Sequence, residues 1–144
     1  MNLPNKKFNT IGLIISPFSE KSQCRSQGKN EVFSIELYKK FQMGLKDIEG
    51  FSHLHVLYWL HKSEKYKMIV NTPGDDCPHG LFSTRSPNRP NPIGHSIVRL
   101  LKVNRNILKV KGFDAVDGTP VLDIKPYIKS LDCKKNTRSG WIRG

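Results

Sequence analysis

The side chains best suited to chemistry are concentrated in GLFSTRSPNRPNPIGHS, residues 80–96. Pro87, Pro90 and Pro92 each fix φ and bias the preceding residue toward extended geometry, so this loop has little freedom to lose. It presents Arg85 and Arg89 together with the hydroxyls of Ser83, Thr84 and Ser86. The planar guanidinium fork matches a carboxylate or a phosphate, and a loop ordered before binding loses less entropy when it binds. The plainer alternative is a stiff surface loop with solvated arginines. The polar side chains crowded among the prolines favour a binding loop.

A second stretch, DAVDGTPVLDIKPY (residues 114–127), places Asp114 and Asp117 around a turn of Asp117-Gly118-Thr119-Pro120. At the rim of a barrel such carboxylates accept hydrogen bonds from ribose hydroxyls or pair with an amino group. An aspartate in an Asp-Gly turn also commonly bonds its own backbone, so this stretch alone leaves both roles open. His53-x-His55 on one strand, with Asp75, Asp76, Cys77 and His79 further on, offers a metal-site alternative. The ligand spacing is not closed, and a strand histidine more often packs, so no metal is expected. Cys24, Cys77 and Cys133 form no C-x-x-C pair and are expected to be reduced thiols.

These residues need a scaffold, and 144 residues is enough for one domain with a real core. Hydrophobic residues at 37% and charged residues at 25% describe a globular balance. The longest apolar runs are far short of a membrane helix, and no export signal opens the chain, so a cytoplasmic protein is expected. The net charge is +12, with Arg99, Lys102, Arg105, Lys109 and Lys111 in one acid-free run. A folded surface of that potential attracts polyanions, and nucleic acid is the expected partner over a merely solvated surface.

Short alternating or β-branched segments predict strands at residues 11–15, 32–38, 51–61, 67–70, 96–103, 107–113 and 120–124. Phe41, Leu45 and Ile48 at helical spacing predict one short helix ending at Gly50. Residues 71–94 read as a long irregular connection. The fold class expected is mostly β: one small antiparallel β-barrel domain over residues 1–144, with one short helix and long irregular loops. No G-x-G-x-x-G occurs, and the strand-helix rhythm of a doubly wound sheet is missing.

Taken in order, IGLIISPF (residues 11–18), IEGFSHLHVLYWLHK (48–62), FSTRSPNRPNPIG (82–94), DAVDGTPVLDIKPY (114–127) and Gly140-Trp141 resemble the TsaA-like family, the TrmO-type tRNA methyltransferases. The resemblance covers nearly the whole chain. It implies a small β-barrel that binds S-adenosylmethionine without a Rossmann-like sheet and works as a homodimer with cofactor sites near the subunit interface. The reaction implied is methylation of N6 of threonylcarbamoyladenosine at tRNA position 37, beside the anticodon. The matching positions imply cofactor contacts by Gln27, Gly28, His61, Lys62, Arg89, Asp114, Ala115, Val116 and Asp117. The chain ends just after the barrel, as in short members, so RNA recognition is expected from the barrel and its dimer.

The acceptor nitrogen is a weak nucleophile, its lone pair delocalised into adenine and carbamoyl group alike, so proton removal by a general base is expected. Asp117 and His61 are the candidates for that role, and Arg85 for the threonyl carboxylate or a phosphate. A non-catalytic basic β-barrel that binds RNA is the competing class; it accounts for the charge but not for the proline-arginine loop. A metal-dependent phosphoesterase is a second rival, distinguishable by chelator sensitivity.

Overall fold

The structure is a computed structural model that describes residues 7–19 and 30–142. Gln27, Gly28 and Cys24 therefore lie outside the described residues. Strands β1 (Gly12–Ile15), β2 (Val32–Leu37), β3 (His53–Trp59), β6 (Ile93–Asn104), β7 (Ile107–Lys111) and β8 (Thr119–Pro126) close into a barrel in the order β1-β2-β7-β6-β3-β8. Every neighbouring pair is antiparallel. The expected mostly-β barrel is the fold observed.

Alternation along the strands sets the inside. Phe33, Ile35, Leu54, Val56, Val98, Leu108, Val110 and Val121 are fully buried, while the intervening positions face outward. On β3 the even residues Leu54, Val56 and Tyr58 enter the core, and His53, His55 and Leu57 lie on the other face, half-buried. A series of rings runs through the core to one end of the barrel. Phe18 meets Phe33 at 6.0 Å, Phe33 meets Phe113 at 5.6 Å, and Tyr58 stands edge-on to Phe113 at 5.7 Å. Tyr58 is thus held by packing at its apolar body while its hydroxyl reaches the barrel end.

Three elements differ from the expectation. The helix at residues 41–50 is two 3-10 segments, Lys39–Leu45 and Ile48–Gly50. Lys46 is extended and Asp47 is left-handed at φ 68°, which breaks the helical path between them. Leu45 is buried in the core and Ile48 packs against it, so the apolar spacing is used, but the break at Lys46–Asp47 divides the path. Residues 71–94 are not wholly irregular: β4 (Ile69–Asn71) and β5 (Pro78–Gly80) pair as a two-stranded arm, and β6 begins at Ile93. Pro78 at the first position of β5 is where a sheet tolerates proline, so the proline did not exclude the strand. A single turn of α-helix, α1 (Lys129–Asp132), follows β8. Among the described residues no helix is long and apolar enough to cross a membrane.

Candidate active site

The end of the barrel where β3 stops and β6 starts opens into a cavity of about 820 Å³. Three segments wall it: the chain after β3 with Leu60, His61 and Lys62, the proline loop with Thr84 to Pro87 and Arg89, and the β7–β8 connection from Gly112 to Val116. Its floor is Tyr58, Gly94 and Ser96. The two sequence motifs, far apart in the chain, therefore line one site.

Each wall has its own internal support. Arg89 Nη1 donates to the carbonyls of Thr84 at 2.9 Å, Ser86 at 3.2 Å and Leu81 at 3.4 Å, drawing the proline loop around one guanidinium. The same guanidinium lies 5.8 Å from the Phe82 ring centre. The Thr84 hydroxyl donates to the Leu81 carbonyl at 2.8 Å. The Asn88 side chain accepts the Glu64 amide at 2.8 Å, tying this loop to the segment after β3. Lys62 Nζ reaches the Ser19 carbonyl at 3.4 Å.

At the floor, the Tyr58 hydroxyl donates to Asp114 Oδ1 at 3.2 Å and lies 2.8 Å from Ser96 Oγ. With its one proton given to the carboxylate, Tyr58 accepts from Ser96, giving a directed chain Ser96–Tyr58–Asp114. The ring lies directly on Gly94, where an added Cβ would come within 2.2 Å of Cε2. Only glycine leaves room for the ring. His61 Nδ1 is buried and has no hydrogen-bond partner among the described residues. An unpaired buried ring nitrogen beside a cavity is costly unless a ligand completes it.

Asp117 is placed differently. Its Oδ1 accepts the Ser16 amide at 2.9 Å and its own amide donates to the Phe18 carbonyl at 2.7 Å, fastening the end of β1 to the β7–β8 turn. It does not line the cavity, whereas Asp114, Ala115 and Val116 do. Arg85 lines it and is exposed. Sequence reasoning passed over Tyr58, Gly94, His95 and Ser96. Tyr58 sits on a core-facing strand position, and its polar tip was the available signal; the other three are strand residues whose place at the cavity follows only from barrel register.

The metal alternative is not assembled. His53 Nδ1 bonds the Ser52 hydroxyl at 2.8 Å, and Asp75 pairs with His79 at 3.0 Å out in the β4–β5 arm. Among the described residues no three potential ligands converge. Cys77 and Cys133 are exposed free thiols.

The family model described as the tRNA-methyltransferase O N-terminal domain matches residues 13–133. This chain belongs to that family. A probable S-adenosyl-L-methionine-binding protein of Archaeoglobus fulgidus is 48% identical over 134 residues, covering 92% of this chain and 37% of that protein. The tRNA (adenine(37)-N6)-methyltransferase of Escherichia coli K12 is 38% identical over 136 residues, covering 85% of this chain and 57% of its own length. A crystal structure of TrmO superposes with a TM-score of 0.82 at 33% identity, over 99% of this chain and 65% of the other. The chain thus spans about a third to two-thirds of these relatives, and its TrmO-like barrel is the shared part.

Proposed function

We propose that this TrmO-like chain is an S-adenosylmethionine-dependent tRNA methyltransferase that acts on N6 of threonylcarbamoyladenosine at position 37. The observation that carries the reading is the cavity itself, which gathers the proline-arginine loop, His61-Lys62 and Asp114–Val116 around one space. The residues fit the cofactor. Leu60, Phe113, Ala115 and Val116 supply apolar walls for a purine, and the buried His61 Nδ1 supplies a polar atom still lacking a partner. The Asp114 carboxylate, already oriented by Tyr58, supplies negative charge toward a sulfonium or ribose hydroxyls. When bound, the cofactor contributes an activated methyl group on a sulfonium. The chain's own task is alignment, which a loop pre-ordered by Arg89 and a floor locked by Tyr58 favour by limiting the entropy lost on binding.

Arg85, exposed at the cavity edge, is assigned to the threonyl carboxylate or a phosphate. Gln27 and Gly28 remain assigned to the cofactor through the family motif. Of the two proton acceptors expected from sequence, the Asp117 carboxylate is engaged by the Ser16 amide and His61 Nδ1 is assigned to the cofactor, so neither is given that role.

The tRNA partner is supported by register. Arg99 lies opposite Lys111, and Lys102 opposite Lys109, on adjacent strands β6 and β7. Like charges directly opposite one another destabilise a sheet, so two successive pairs are tolerated at a cost that bound phosphates would remove. We assign the homodimer to the face beside the cavity mouth, where Trp59, Ile93 and Ile97 are exposed. The working compartment is then the cytoplasm, where tRNA is charged and read.

The deciding experiment is calorimetry of S-adenosylmethionine against the purified protein, followed by methyl transfer to tRNA carrying threonylcarbamoyladenosine. Saturable binding near one site per chain, weakened in Asp114→Ala, with methyl incorporated at N6, is the expected result. RNA binding without cofactor binding in the presence of tRNA would instead make the chain a non-catalytic RNA-binding barrel.

A further inference from the structure

Three side chains from three elements form a line that ends in the cavity, joined by one hydrogen bond between two histidines and one close charge contact to an aspartate. Asp132 Oδ2, on α1, lies 3.0 Å from His55 Nε2 on β3. His55 Nδ1 lies 2.9 Å from His95 Nε2 on β6, and His95 lines the cavity. The two imidazoles are nearly coplanar, 16° apart, with centres 5.2 Å apart. Because the bonded nitrogens are much closer than the centres, the rings meet edge to edge, the geometry of a shared proton. Tyr127 stacks on His55 at 5.5 Å and holds its plane.

Charge sets the order of the protons. The Asp132 carboxylate, 3.0 Å away, places its negative charge beside His55 Nε2 and favours the proton there, without a hydrogen bond of good geometry. In a neutral His55, Nδ1 is then an acceptor, so His95 must donate from Nε2. That leaves His95 Nδ1 with a lone pair, and no hydrogen bond among the described residues engages it. His95 is exposed at the cavity, yet partial desolvation foremost, then the neighbouring His55 and Arg85, lowers its imidazole from the ordinary value.

We propose that His95 is the proton acceptor of the methyl-transfer reaction, with His55 and Asp132 as a relay that carries the positive charge away from the cavity. The inference rests on the methyltransferase reading. The proton leaves the acceptor nitrogen for His95 Nδ1. The proton on His95 Nε2 passes to His55 Nδ1, and the charge comes to rest on His55 beside the Asp132 carboxylate. The electron pair freed on the acceptor nitrogen forms the bond to the methyl carbon as that carbon's bond to sulfur breaks, its pair returning to sulfur. His95 is a catalytic residue in this scheme; His55 and Asp132 are positioning residues. Moving the charge matters because Arg85 already stands at the same cavity, and a second cation beside it would oppose proton transfer. Other charges near the line act more weakly: Lys134 faces Asp132, while Lys125, opposite His55 on β8, is paired with Asp123 at 2.9 Å.

Two measurements on the full chain test this. The first is methyl transfer from S-adenosylmethionine to tRNA carrying threonylcarbamoyladenosine, as a function of pH. His95→Gln should lose roughly 100-fold or more in single-turnover rate, the scale of a general base, while cofactor affinity holds. Its acidic limb should vanish, and added imidazole should restore part of the rate in His95→Ala. Asp132→Asn removes a negative charge that favours the protonated line, so its acidic limb should move to lower pH; a merely structural Asp132 would lower thermal stability and leave the limb in place. The second measurement is nitrogen-15 NMR of the imidazoles without any ligand, where His95 should appear as the Nε2–H tautomer. Wild-type protein that transfers no methyl group overturns the function and the relay together. Transfer that is unchanged in rate and pH profile in His95→Gln, or an Nδ1–H tautomer for His95, overturns the relay alone.

Discussion

Gly94 is the residue on which the site's floor depends. The Tyr58 ring occupies the space a Cβ would need, and the same ring carries the hydroxyl that links Ser96 to Asp114. Gly94→Ala must therefore push the ring aside, breaking the floor's hydrogen bonds as well as its packing. The expected loss is about 1–3 kcal/mol in stability, the usual range for overpacking, with cofactor affinity falling alongside. Tyr58→Phe separates the two effects. It keeps the ring and removes only the hydroxyl, so stability should drop by about 1 kcal/mol while Asp114 loses its orienting donor. Thermal melts paired with cofactor calorimetry read both variants. An unchanged melt and affinity in Gly94→Ala would mean that the ring does not rest where the structure places it.

Among the elements, the proline loop owes its shape to Arg89 as much as to its prolines. One nitrogen of Arg89 gathers three carbonyls, at Leu81, Thr84 and Ser86. Lysine in its place offers a shorter reach to that array and no planar fork, so Arg89→Lys should loosen the loop and weaken cofactor binding by about tenfold or more, from the loss of charge-assisted bonds worth about 1.5–3 kcal/mol. Faster amide exchange confined to residues 81–89 would confirm the cause. The neighbouring arm has a pH signature of its own. Asp75 is held below its ordinary 3.8, chiefly by the Cys77 amide and then by His79, on which Trp141 stacks at 3.9 Å. A depressed carboxylate contributes stability above its unfolded pKa and loses it as pH falls through the folded value. Trp141 fluorescence in a Trp59→Phe background should therefore report release of the tail only below the ordinary aspartate range, and Asp75→Asn should lose that transition. The sequence made the loop legible because prolines and arginines at close spacing state their own geometry. It made the barrel legible because alternation on β2 and β3 separates inside from outside. The His95–His55–Asp132 line was not legible, since its members meet only through barrel register and a helix of four residues. The expected helix at residues 41–50 failed for the opposite reason: its spacing was helical and Leu45 and Ile48 do reach the core, but the backbone turns at Lys46 and left-handed Asp47.

For the whole molecule, the +12 charge is informative only through where the fold puts it. The β6–β7 hairpin sets Arg99 against Lys111 and Lys102 against Lys109, and no carboxylate among the described residues forms an ion pair with any of the four. Lys109 bonds the Ser34 hydroxyl at 2.7 Å, and Glu36 lies further along β2 opposite Ile107. Arg99 and Lys111 also adjoin Ile97 and Gly112 at the cavity edge, so this strip leads from the hairpin tip toward the site. A surface selected for stability alone would alternate the signs. Lys111→Glu tests that reasoning because its two effects carry opposite signs. It turns a repulsive cross-strand pair into an attractive one, so the protein should gain about 0.2–1 kcal/mol in stability. It should also weaken tRNA binding and reduce the slope of log affinity against log salt by about one or more, as expected when a phosphate contact is lost. A variant that is stabilised yet binds tRNA with the wild-type salt slope would remove the hairpin from the RNA path. Stabilisation with a shallower slope would show that the fold gives up sheet stability here to hold a polyanion beside its site.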